Sequence, residues 1–344
     1  MTDKTKRSIC ALAAMLFGTI ISLGSAAAQP TKVKFVLDWA WQAPHAAWTL
    51  AIDNGHFAAE GLEVSIDRGF GSGDTVSKVA AKTYDIGFAD GNVLLKFNAA
   101  NPDDQLMTVL IVLDASPNSV VFLNKSGIKV PKDLEGKTLS TTENDGTNLI
   151  FPIFAQANNL DVSKIKFQHV QSNLRDTLVI QGEAEGSLGW ATTAVMNMMT
   201  AGVDRDKIGY LAFSDHGVNL FSSGLVVRKD FAENHPKVVQ GFVRATIKGI
   251  KDLVANPEVG VASIKKRDSL LDERIELIRY NLIRDVALIT PHVKANGISS
   301  VDRERFERAA AQVAAAFNLD MNPKMEDTYT DQFLPPKLER MLPR

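Results

Sequence analysis

The chain has almost no cysteine. Cys10 is the only one in 344 residues, and it falls in an N-terminal stretch that reads as a leader. The mature protein is therefore expected to have no disulfide, no thiolate metal site and no cysteine nucleophile. A surplus of basic charge is also lacking, with 38 Lys and Arg against 40 Asp and Glu. No positive field is available to hold a phosphate backbone, which excludes nucleic acid as a partner. The 6 His are scattered along the chain, which argues against metal capture. There is no Gly-x-Ser-x-Gly elbow and no His-Glu-x-x-His pair, so neither hydrolase chemistry has its residues. The glycine-rich run Gly69–Asp74 lacks the Gly-Lys-Ser/Thr of a phosphate loop and the spacing of a dinucleotide fingerprint. No cofactor and no catalytic residue is expected.

What is present begins with an address. Lys4, Lys6 and Arg7 precede the apolar run Ile9–Leu23, and the small residues Ser25 to Ala28 follow. That order predicts a secretory signal peptide over residues 1–28, cut near Ala28, because the apolar run is short for a span of roughly 20 residues. The mature protein is expected in the periplasm. Removing a net +2 with the leader takes the formal charge from -2 to -4. Apolar content of 45% and charged content of 23% are ordinary for a soluble globular protein. The length allows two domains, or one large one.

After Pro30 strands and helices alternate, the pattern of an α/β fold with mainly parallel sheets. The organising stretch is Phe35–Val64, in which an apolar strand breaks into Asp38, Trp39, Trp41 and His45 before a helix begins near Ala46. Three of the 4 Trp fall in this stretch, Trp39, Trp41 and Trp48. A strand's carboxyl end followed by a helix start is where open α/β sheets bind ligands. Each Trp is read either as core or as a cleft residue. Gly71 and Ser72 sit in GFGSGD, which is either a tight turn needing positive φ or a loop approaching a ligand. Asp90 ends a short strand, as an N-cap or a ligand contact.

From Val120 the rhythm restarts. Strand Thr138–Thr142 runs into ENDGTN, where Asp145 or Thr147 is placed to cap the next helix. Trp190 ends a further strand and is read as repeating the placement of Trp39 in the other half. Met196, Met198 and Met199 are expected in a helix core. The charged runs Asp272–Arg284 and Asp302–Arg308 are expected as solvated helix faces. Crossings near Ser116–Ser119 and Phe221–Gly224 predict lobe 1 from residues 31–118 and 224–344, and lobe 2 from residues 119–223.

The segments LDWAWQAPHAAW at Leu37–Trp48, NGHFAAEGLEV at Asn54–Val64 and GFGSGDTVSKVAAKTYDIGFAD at Gly69–Asp90 carry a family resemblance. KVPKDLEGKTLS at Lys129–Ser140 and FAENHPKVVQGF at Phe231–Phe242 extend it into the rest of the chain. Together they resemble the periplasmic substrate-binding proteins of ABC importers, in the superfamily of thiamine-pyrimidine, riboflavin, aliphatic-sulfonate, taurine and nitrate binders. The resemblance implies a two-lobed type II clamp that closes by a hinge on a small ligand and delivers it, as a monomer, to an ABC permease and its ATPase. It favours a thiamine-pyrimidine precursor, with Trp39 stacking on the ring, Asp38 or Asp90 accepting from its amino group, and His45 giving a directional hydrogen bond. Thr142, Gly146 and Thr147 would add hydroxyl and N–H contacts, and Trp190 would close the opposite face. Gly71, Ser72 and Ser116 complete the candidates, and Trp41 leaves room for a larger aromatic ligand such as a flavin. Riboflavin, an aliphatic sulfonate, taurine or an aromatic acid is also compatible with the resemblance. Eukaryotic relatives of the fold that synthesise the pyrimidine resemble the chain around His45 but carry a cysteine-rich motif, which this chain lacks.

Overall fold

Thr31–Val36 opens the first sheet, with Val33 and Phe35 turned inward while Lys32 and Lys34 face water. That is the period-two pattern of a strand with one buried face. It is β1 in a computed structural model that describes residues 29–320 and 324–343. The expected leader, with Cys10, lies outside those residues.

The alternation repeats in β2 (Leu62–Asp67), a half-exposed edge strand in which Leu62, Val64 and Ile66 share the inner face. Next come β3 (Ile86–Asp90) and β4 (Leu106–Ile111), whose apolar runs are covered on both faces. The second sheet takes β5 (Asn118–Leu123), β6 (Thr138–Thr141), β7 (Lys166–His169), β8 (Gly186–Trp190) and β9 (Ile208–Ala212). The last strand, β10 (Ser223–Arg228), returns to the first sheet.

The two sheets run in the orders β2-β1-β3-β10-β4 and β7-β6-β8-β5-β9. In the first, β1 pairs in parallel with β2 and β3, while β10 lies antiparallel between β3 and β4. In the second, β6 pairs in parallel with β7 and β8, while β5 lies antiparallel between β8 and β9. One topology is thus used twice, with β6, β7, β8, β9 and β5 in the places of β1, β2, β3, β4 and β10. This corrects the pairing of tryptophans expected from sequence. Trp190 ends β8 and so matches Asp90 at the end of β3, whereas Trp39 follows β1, whose counterpart is β6.

Helices cover both sheets, and among the described residues none is long and apolar enough to cross a membrane. Trp48 is fully buried, its ring 5.2 Å from Phe35 and 4.6 Å from Phe88. It belongs to the core, not to the cleft. Met196 and Met198 are buried and Met199 partly so, as their helical spacing predicts. His235–Pro236 starts the long helix Pro236–Ala255, which buries Phe242, Ile247, Ile250 and Leu253.

Two charged runs depart from the expectation of solvated faces. In the helix Glu273–Ile283, Glu276 and Arg279 are buried. In the helix Arg303–Ala316, Arg305 pairs with Asp114 at 3.2 Å and lies over the Phe221 ring at 3.9 Å. Asp114 and Phe221 stand on the two segments that pass between the sheets, so one guanidinium grips both. Periodicity marks which face of a helix is polar, but not whether another element covers that face.

Candidate functional site

Because the parallel strands of both sheets end toward one gap, their following loops and helix starts line it. Asp38, Trp39, Gln42 and His45 come from the loop after β1, and Gly71 and Ser72 from the helix start after β2. Asp145 and Gly146 follow β6, Arg175 follows β7, and Trp190 and Thr193 follow β8. The cleft they enclose is about 410 Å³.

The first wall is fixed by backbone bonds. The Gly71 N–H donates to the Asp38 carbonyl at 2.7 Å, and the Gly69 N–H to the Trp39 carbonyl at 3.0 Å. The single 3-10 turn Ala43–His45, with Pro44 at its second position, then turns His45 back on Asp38. His45 Nδ1 accepts the Gln42 N–H at 3.3 Å, so in this arrangement the ring proton sits on Nε2, which lies 3.1 Å from Asp38 Oδ1. Both side chains are buried. The neutral imidazole therefore donates to the carboxylate, and among the described residues Asp38 Oδ2 accepts nothing.

The opposite wall is built on Arg175, which is 1% exposed. Its Nε and Nη2 hold Asp176 in a fork at 3.0 and 3.2 Å, and Nη1 reaches Asp145 at 3.2 Å. Asp145 also caps the helix Gly146–Ala157 by accepting the Thr147 N–H at 2.7 Å. Burial by itself would raise Asp176, but Arg175 and the donors Asn197 and Ser187 outweigh it and hold that carboxyl below its usual range. At Asp145 burial prevails, and its pKa is raised despite Arg175. The guanidinium packs against β8 only because residue 189 is glycine, where a Cβ would stand 2.6 Å from Nη1. The same guanidinium lies 5.4 Å from the centre of the Trp39 ring, a cation–π contact that spans the gap.

Further bonds join the walls. The Gly73 N–H donates to the Asn144 carbonyl at 3.0 Å, and Thr193 Oγ1 to Gln42 Oε1 at 3.0 Å. Gly71 has φ +120°, and a Cβ there would sit 2.2 Å from the Asn144 carbonyl oxygen. The turn of GFGSGD thus needs its positive φ, and its loop lines the cleft. Trp190 packs partly buried against the core of the first sheet.

Asp38, Trp39, His45, Gly71, Ser72, Gly146 and Trp190 are thus brought together, and the remaining candidates are not. Trp41 packs beside the first core. Asp90 is buried behind Ser72, its N–H donating to Ser72 Oγ at 3.0 Å and its carboxylate taken by Asn92 and Asn118. Thr147 is equally buried and donates to Asn118 Oδ1 at 2.6 Å. Ser116 accepts from Asn118 Nδ2 at 2.6 Å in the passage between the sheets, and Thr142 lines a separate hollow with Phe70 and His169. Gln42, Arg175 and Thr193 were not found from sequence, and Asp145 was found only as a helix cap. The repeated topology supplies the missing signal for Arg175, which opens the helix after β7 as Ser72 opens the helix after β2. Among the described residues no group of three or more His, Cys, Asp or Glu could hold a metal ion.

Residues 42–259 match the family described as NMT1/THI5 like. A riboflavin-binding protein, RibY, of Chloroflexus aurantiacus is 22% identical over 90% of this chain and 88% of its own. A formylaminopyrimidine-binding protein of Halalkalibacterium halodurans is 26% identical over 66% of this chain and 67% of its own. The alkanesulfonate-binding protein SsuA of Xanthomonas axonopodis, solved with MOPS bound, superposes with a TM-score of 0.67 at 14% identity, covering 88% of this chain and 99% of that one.

Two outcomes test this geometry. Gly71→Ala is expected to cost about 1–3 kcal/mol in urea unfolding, because its φ and ψ lie in a region essentially restricted to glycine; an unchanged midpoint would mean that the loop relaxes freely. The second concerns Asp90, whose pKa burial raises, with Asn92 and Asn118 opposing and the charge of Asp38 adding. A raised acid stabilises the fold below its unfolded pKa of about 3.9, and that contribution is lost as pH climbs through the folded value. The unfolding free energy of the parent minus that of Asp90→Asn should therefore fall between about pH 4 and neutrality. A pH series of urea titrations reads it, and a difference that rises instead reverses the assignment.

Proposed function

The chain belongs to the NMT1/THI5-like family and has the two-sheet fold of an extracytoplasmic solute-binding protein of ABC importers, and from that premise we propose its ligand. It captures a flat heterocycle bearing an amino group, with a thiamine-pyrimidine precursor favoured, and carries it as a monomer to its permease. Residues 1–28 are the export leader in this reading.

The observation that supports it is the charge in the cleft. Two carboxylates, Asp38 and Asp145, face one guanidinium, and that guanidinium is already held by Asp176 and Asp145. A sulfonate or nitrate finds no uncommitted cation in this lining, whereas an amino group finds an acceptor at Asp38 Oδ2. Trp39 and Trp190 line the same cleft, where an indole can pack against a ring. The name of the Halalkalibacterium relative points the same way, and that of the Chloroflexus relative keeps riboflavin as the second candidate.

Thermal melting against aminopyrimidines, riboflavin, taurine and aliphatic sulfonates tests the choice. An aminopyrimidine present at about 100 times its dissociation constant should add about 2.7 kcal/mol of stability. Stabilisation by riboflavin or a sulfonate alone would reject it. Calorimetry of Asp38→Asn should show affinity reduced more than about tenfold, as expected for a hydrogen bond to a charged group. Trp39→Ala should weaken binding by at least about twofold through lost stacking.

A further inference from the structure

The helix Glu273–Ile283 follows β10 in the chain, yet it touches both walls of the cleft. Glu276 Oε2 accepts the Ala43 N–H at 2.7 Å, beside His45 on the first wall. Arg279 Nε donates to Glu276 Oε1 at 3.0 Å, and Nη1 and Nη2 reach the Thr193 carbonyl at 3.4 Å and Asn197 Oδ1 at 3.5 Å, on the second wall. Thr193 Oγ1 then donates to Gln42, the neighbour of Ala43. A ring of bonds is closed through Gln42, Ala43, Glu276, Arg279 and Thr193. Glu276 and Arg279 are 3% and 5% exposed. Charges this deeply covered are held by their partners, and any parting of the walls takes Thr193 and Asn197 away from Arg279.

We infer that Arg279 is a positioning residue for ligand capture, a latch outside the cleft lining that holds the two walls together and sets how long a ligand stays. This rests on the solute-binding reading but not on which solute is bound. Arg279 stands outside the cleft lining, so its removal takes away no wall of the site. Its effect falls on dissociation, because the latch forms only as the walls meet. Association starts from parted walls, and because the free protein populates the parted arrangement beside the latched one, losing the latch changes association by no more than about twofold while expanding the free protein.

The test compares the parent with Arg279→Lys and with the double variant Arg279→Met, Glu276→Gln, which strands no buried carboxylate. Stopped-flow tryptophan fluorescence with a hydroxymethyl-aminopyrimidine as probe gives both rate constants. The double variant should release the probe at least about tenfold faster while association stays within about twofold, since the buried guanidinium's hydrogen bonds to Thr193 and Asn197 are broken only as the walls part. Arg279→Lys, which keeps the charge, should fall between the two. An unchanged release rate, or a loss confined to association, overturns the latch. If no aminopyrimidine binds the parent, the ligand assignment fails, and small-angle scattering of the free proteins decides the latch by itself. The double variant must then have the larger radius of gyration, and equal radii overturn it.

Discussion

The gap between the sheets exists because the chain passes between them twice and each sheet accepts one antiparallel strand. With β10 set between β3 and β4, and β5 between β8 and β9, the parallel strands of both halves keep a common direction toward the gap. Connections between parallel strands leave helix N-termini at the strand ends. The gap is therefore lined by loops and by N–H groups without helical partners, which are the groups a small molecule can use. Arg305, holding Asp114 and stacked on Phe221, ties the two passages to one helix. The walls can move relative to each other only where those two strands of chain allow.

Within that frame the charges of the site are committed before any ligand arrives. Arg175 is buried, and without the Asp176 fork and Asp145 its desolvation would be prohibitive. Once paired, it offers the cleft a rigid, largely neutralised plane against Trp39 instead of a free cation. Asp38 is treated differently. His45 occupies one of its oxygens from behind and fixes the carboxylate's direction. One wall thus supplies an oriented acceptor and the other a flat, nearly neutral surface. In the proposed reading, selectivity follows from direction and shape more than from net charge.

Much of this was legible in the residues. Strand alternation in Thr31–Val36 and Leu62–Asp67, continuous apolar runs in the central strands and glycine at residue 71 follow from local sterics, and local sterics are what a sequence states directly. Asp38, Trp39, His45 and Gly71 were found because each stands just past a strand end. The same rule overreached at Asp90 and Thr147. They also stand at strand ends or helix starts, but their side chains turn inward to Asn118. Arg175, Glu276 and Arg279 were missed for the opposite reason. A charged residue in a helix normally faces water, and only a partner distant in sequence, Asp145 for Arg175 or Thr193 for Arg279, makes its burial tolerable. Such pairings carry no local periodicity to read.

Apart from the buried contacts of Arg279, the bonds that join the walls are of a kind that water can replace. Gln42 with Thr193 and Gly73 with Asn144 are neutral pairs, each worth about 0.5–1.5 kcal/mol net of solvent. Trp190 adds apolar contact with the first core but stays only partly covered. A seam of this composition does not commit the protein to one arrangement, because parting it exchanges protein bonds for water bonds at small net cost. A molecule that touches both walls then has leverage, since it adds contacts available only when they meet. It can shift the balance by as much as it prefers that arrangement, and by no more. In the proposed reading the ligand bridges Asp38 on one side and the Arg175 plane on the other, so losing either contact returns the balance to the seam itself.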